Sequence, residues 1–202
     1  RKSNNAQIME TTSRESVSVN DLYLHDKDSY QNYVPVRAKG TFDENREVYL
    51  INRSRDAVPG VEVINSFALE TDPVSHVVVN RGYLPYKIFN DGKSELWKPP
   101  SKMLELEGYI MLAFSDGKLR GNEINRIDID LLSAEWGIPL LPVYLQQNQQ
   151  TMNDWPAQMK PPELTEGSHF SYAVQWFIFT LIGLVGYPLV LRRVIADDRL
   201  VA

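Results

Sequence analysis

From Phe170 to Leu191 the chain reads FSYAVQWFIFTLIGLVGYPLVL, about 22 residues without a single charge. A helix needs about 20 apolar residues to cross a bilayer, whereas buried core helices are usually shorter and amphipathic. The flanks agree with a membrane span. Tyr172 and Trp176 stand near one end and Tyr187 near the other, where amphipathic rings settle at the lipid headgroups. Arg192 and Arg193 follow at once and Arg199 lies close behind, while the preceding stretch offers only Lys160. Positive residues stay on the cytoplasmic or matrix side, so the C-terminus is expected there and the rest of the chain on the opposite side of the bilayer.

The remaining composition excludes much chemistry. The 202 residues contain no cysteine, which rules out disulfides, thiolate metal sites, iron–sulfur clusters, covalent c-type haem and a cysteine nucleophile. Only His25, His76 and His169 remain as imidazole donors. Lys and Arg number 21 against 26 Asp and Glu, which argues against a nucleic-acid partner, since such proteins carry a basic stripe. There is no phosphate-binding glycine loop, no H-E-x-x-H and no G-x-S-x-G, and the chain is not expected to be an enzyme. It opens with Arg1 and a polar run without an apolar leader. A domain exported ahead of a C-terminal span needs an export signal or an earlier span, so a first transmembrane helix is expected upstream of Arg1.

Short β-type runs fill the region before the span. Val34–Phe42 and Val48–Asn52 are expected strands separated by a charged turn, DENRE. Val61–Leu69 follows the turn signal Pro59-Gly60, Val77–Tyr83 is rich in β-branched residues, and Met103–Phe114 alternates over its first half. A helix is expected from Asp128 to Trp136, capped by Asn125 or Asp128 and ended by Gly137. Leu140–Leu145 reads as a last strand. The fold class is therefore mainly β, an antiparallel sheet or small barrel with one short helix, plus the C-terminal transmembrane helix. The expected divisions are a β-rich extracytoplasmic domain at 1–145, a Gln/Pro-rich linker at 146–167, a span at 168–193 and a tail at 194–202.

Carboxylate pairs such as Glu105/Glu107 and Asp128/Asp130 have ordinary solvent-face spacing. At 100° per residue, His169, Tyr172, Trp176, Thr180, Gly183 and Tyr187 share one face of the expected span. An imidazole above two aromatic rings suits an iron-bearing macrocycle, and the positive helix start keeps the ring neutral. The same face also suits an interfacial histidine beside an aromatic belt, with small residues allowing helices to pack closely. Arg81-Gly82, at the end of a β-branched strand, could present a guanidinium to a carboxylate or serve the fold alone.

Several stretches match a known pattern in the right order. Val77-Val78-Val79-Asn80-Arg81-Gly82-Tyr83-Leu84-Pro85 resembles the V-N-R-G-[WY]-[VIL]-P motif of the surfeit locus protein 1 family. Pro35–Phe42 resembles that family's first strand with its Gly-x-Phe/Tyr ending, and Arg126-Ile127-Asp128 resembles its R-x-D element. His169-Phe170-Ser171-Tyr172-Ala173-Val174-Gln175-Trp176-Phe177 is similar to its H-x-x-Y-A-x-x-W-F motif at the start of the second span. The resemblance implies two membrane helices flanking an exported domain, in a bacterial plasma membrane or the mitochondrial inner membrane. It implies an assembly factor for haem–copper cytochrome c oxidase that works with the catalytic subunit and its assembly machinery. As in bacterial members, it also implies binding of haem a, with His169 as axial ligand to the iron; Tyr172 and Trp176 match motif positions, and we expect them to shape the pocket. A structural accessory protein that clamps the oxidase without touching haem is the alternative.

Overall fold

The structure, a computed structural model, describes residues 8–20, 30–71, 73–149, 154–159 and 169–201. Within 169–201, side chains are described for 172–190, 192 and 193. His25 and much of the expected linker lie outside the described residues. The chain falls into two units, one within Asn4–Pro162 and one within Glu163–Ala202.

The first unit is an eight-stranded mixed sheet. Its strands are β1 (Val17–Ser18), β2 (Pro35–Arg55), β3 (Val58–Leu69), β4 (His76–Pro85), β5 (Leu104–Leu112), β6 (Leu119–Arg120), β7 (Glu123–Ile124) and β8 (Leu140–Gln147). The longer described helices after β4 are α1 (Tyr86–Phe89), α2 (Ile129–Trp136) and α3 (His169–Val201), the last lying in the second unit; residues 8–12 are also helical, and Ser94–Leu96 form a 3-10 turn. The β-rich domain with one capped helix is thus as expected. Five strands close on themselves in the order β2–β3–β4–β8–β5–β2, because β2 pairs with β5 over Pro35–Gly40 and with β3 from Gly40 onwards. Antiparallel pairs dominate, and β4–β8, β1–β2 and β2–β7 run parallel.

Alternation along the strands builds the core. Val36, Ala38, Phe67, Val77, Val79, Leu106, Ile110, Val143 and Leu145, drawn from all five ring strands, form one buried cluster. Val78 and Tyr144, of opposite parity, join a second cluster with Leu50, Ile64 and the α2 residues Ile129 and Leu132. The unbroken Val77-Val78-Val79 run therefore marks a strand buried on both faces. A third cluster gathers Tyr49, Val61, Val63, Leu84 and Trp97, with Phe89 of α1 packed against it.

Two expectations are corrected. The charged run Asp43–Glu47 does not separate two strands, because β2 continues through it and only breaks register with β3 between Phe42 and Glu47. The looped-out residues are tied locally. Arg46 pairs with Asp43, and the Asn65 side-chain amide donates to the carbonyls of Asp43 and Arg46 at 3.4 and 3.5 Å. Nor does the chain turn at Pro59-Gly60. The reversal comes at Asp56-Ala57, whose φ values of 51° and 63° suit a two-residue hairpin turn. Gly60 lies inside β3, where a Cβ would meet the Leu84 carbonyl oxygen at 2.3 Å.

The ends of α2 follow its sequence. The Asp128 carboxylate accepts from Leu131 N at 3.1 Å, and Gly137 stops the helix at φ 65°. Asn125 instead accepts from Lys118 N at 2.7 Å. β8 runs on to Gln147, paired with Gly108, two residues past the expected Leu145. The α3 helix runs past the expected span to Val201, and its stretch of membrane-spanning length is Tyr172–Val190.

Candidate functional site

Two places concentrate the residues singled out by sequence. The first is Asn80-Arg81-Gly82 in β4. Here Val63 faces Gly82 and Ile64 faces Asn80, so Arg81 is the extra residue of a β-bulge. A bulge re-aims one side chain, and this one turns a guanidinium into the protein, where Arg81 is 4% exposed. One terminal nitrogen donates to Asn65 Oδ1 at 3.0 Å and faces Glu47 Oε2 at 3.4 Å. The other donates to the Trp97 carbonyl at 2.7 Å. The guanidinium carbon also lies 5.2 Å from the centre of the Phe42 ring.

These contacts close a loop of hydrogen bonds. Trp97 Nε1 donates to the Tyr49 hydroxyl at 3.4 Å, and that hydroxyl donates to Glu47 Oε1 at 2.5 Å. Glu47 is the acid facing Arg81. Burial pushes the Arg81 guanidinium down to about 10, against the pull of Glu47 and Tyr49, and it remains cationic at neutral pH. Burial, reinforced by Glu47, raises Tyr49 and keeps the phenol protonated as a donor. The loop fastens the segment after α1 to β2 and β4.

The neighbours of Arg81 are equally occupied. Asn80 Nδ2 donates to Glu62 at 2.6 Å, while its oxygen accepts from Gly82 N at 3.1 Å. Burial raises the Glu62 carboxyl, with Asn80 and then Arg53 opposing. Gly82 takes φ 134°, and a Cβ there would sit 2.4 Å from the Ala157 carbonyl oxygen. That close approach lets Tyr83 exchange two backbone hydrogen bonds with Ala157, at 2.8 and 2.9 Å. Sequence reasoning missed Glu47, Tyr49, Asn65 and Trp97 as partners. A glycine inside a β-branched strand was the available sign of a bulge.

The second place is α3. His169 opens the helix, and its side chain is outside those described. Tyr172 is 60% exposed and Trp176 68%. Trp176 meets Phe179 edge-on at 6.2 Å. The Thr180 hydroxyl donates to the Trp176 carbonyl at 2.9 Å, which commits it to the helix backbone. The other described histidine, His76, opens β4 and its Nδ1 lies 3.3 Å from Ser66 Oγ. Burial, then the nearby Arg46, lowers its pKa.

Both places fall within one comparison: the family model of the SURF1 family matches residues 1–181. The chain belongs to the SURF1 family. This is the surfeit locus protein 1 family that the motifs resemble. Membership is consistent with a role in cytochrome c oxidase assembly, and the family is one of assembly factors rather than catalytic enzymes. The apolar helix is consistent with a membrane-anchored SURF1 protein. Comparison with curated proteins gave no match.

A third stretch that resembles a family motif, Arg126-Ile127-Asp128, organises a surface loop. One Arg126 nitrogen reaches both oxygens of Asp116, at 2.8 and 2.9 Å, and the guanidinium lies 5.4 Å from the Phe114 ring centre. Besides capping α2, Asp128 accepts from Gly117 N at 3.0 Å. Gly117 passes so close that a Cβ would meet the Asp128 Cβ at 2.5 Å.

Proposed function

We propose that this SURF1 protein is a membrane-anchored assembly factor that holds haem a and assists its insertion into the catalytic subunit of haem–copper cytochrome c oxidase. The observation that carries this reading is a membrane-length helix that opens at His169, within the residues that the SURF1 family model matches. The residue types fit the group. Imidazole nitrogen is a common axial donor to haem iron, and aromatic faces suit a planar macrocycle.

Haem a, when bound, supplies the redox iron that the oxidase needs. His169 would donate a nitrogen lone pair to the iron. Tyr172 and Trp176 would lie along the macrocycle, and the apolar stretch after them excludes water. Handing the group on requires no bond-making chemistry from this chain. The β-rich domain stands on the extracytoplasmic side, or in the intermembrane space, with the C-terminus in the cytoplasm or matrix. The oxidase catalytic subunit and its assembly machinery are the partners.

The test is the visible spectrum of the full-length protein purified from cells that make haem a. A haem spectrum is expected, and His169→Ala should abolish or strongly shift it. A spectrum unchanged by that substitution removes the ligand assignment. Stoichiometric recovery with mature oxidase and no haem would replace this reading with an accessory clamp.

A further inference from the structure

The strands β5 and β8 pair as far as Leu112 and Val143 and then part. Beyond that point β5 swings away, and Phe114 bridges to Asp128 instead. The divergence opens a groove of about 400 Å3, with Phe114 on one arm, Leu140 and Pro142 on the other, and Ile129 of α2 at the base. Phe114 is 51% exposed, and Leu112 before it is 42% exposed. Scattered single exposures of this kind are ordinary. Here they border a groove, and Arg126 lies over the exposed ring.

The rim is acidic. Asp116 and Asp130 line it; Asp116 and Arg126 are paired with each other, which leaves exposed Asp130 as the acid that meets solvent. The start of α2 contributes about half a positive charge, and the Asp128 cap offsets it. Fixing an aromatic ring, an acidic loop and a helix start with Arg126 and Asp128 prepares a surface in advance, which lowers the ordering cost of binding.

We infer that the notch between β5 and β8 docks a partner polypeptide that presents an apolar side chain beside a lysine or arginine. The apolar side chain enters between Phe114 and Leu140, and the cation meets Asp130. This contact is independent of haem binding by α3.

The probe is a capped hexapeptide of alternating lysine and leucine, added to the full chain in detergent micelles with labelled methyl groups. NMR shifts are expected at Leu112, Ile129 and Leu140, saturating with peptide and weakening as salt rises. Phe114→Ala should weaken binding about tenfold or more, and Asp130→Asn should lower both affinity and salt dependence. Both side chains are exposed, so the fold should survive; unchanged methyl shifts elsewhere verify this. Equal shifts from a glutamate–leucine peptide, or shifts gathered away from the groove, overturn the proposal. Signals that move with protein concentration alone would assign the notch to a second copy, and also overturn it.

Discussion

Asn80-Arg81-Gly82 and the start of α3 both resemble motifs of the family, yet their side chains have different surroundings. In the bulge, the Asn80 amide, the Arg81 terminal nitrogens and the Gly82 amide all end on atoms of this chain. On α3, Tyr172 and Trp176 are exposed, as are nearly all residues from 172 to 190 of that helix. Rings of that kind can each bury 150–250 Å2, and lipid or a ligand must cover them. A motif can thus be equally specific in sequence whether it serves the fold or a partner. Buried partners within the chain mark the first use.

The sharpest way to break this contrast is Arg81→Ala. It leaves Glu47 facing an empty site and the Trp97 carbonyl without its donor, and should cost about 3–5 kcal/mol, read by denaturant unfolding followed by circular dichroism. Unchanged stability with lost oxidase assembly would make the bulge a partner site after all. Gly82→Ala should cost about 1–3 kcal/mol through its backbone conformation alone, and the approach of Ala157 adds to this; a lowered Tm is the measure. Tyr83→Phe removes the hydroxyl that donates to the Val58 carbonyl at 2.5 Å, for a loss of about 0.5–1.5 kcal/mol in the same unfolding assay. At the other extreme, Tyr172→Ala and Trp176→Ala should leave unfolding of the β domain within about 0.5 kcal/mol, while haem absorbance of the purified protein falls. A large stability loss there would blur the contrast.

Local signals were legible where one residue's chemistry decides the structure. Asp128 and Gly137 framed α2 because a cap and a left-handed stop act within one turn, and the uncharged run framed α3 because its length matches a bilayer. Val77-Val78-Val79 announced a strand, but not that it would pair in parallel with β8, about 65 residues away in the chain. Such pairing depends on closure of the whole ring. The charged run at Asp43–Glu47 looked like a turn because its ties to Asn65 come from another strand. The hairpin reversal was misplaced because Asp56-Ala57 lacks the glycine that usually marks positive φ. At the second place, the helix α3 itself was readable from its uncharged length. Arg81's partners were not, since Glu47, Asn65 and Trp97 come from three separate segments.

The closed ring also limits how another protein can approach it. Where β3, β4, β5 and β8 pair on both sides, both rows of their backbone groups are already hydrogen-bonded. A partner cannot extend the sheet there by laying a strand along its edge. Where β5 leaves β8, the stretch of β8 that β5 no longer pairs contains Pro142, which has no N–H to offer an incoming strand. Recognition at that gap falls to side chains, so that a partner is chosen by its chemical identity rather than by its capacity to form β-structure.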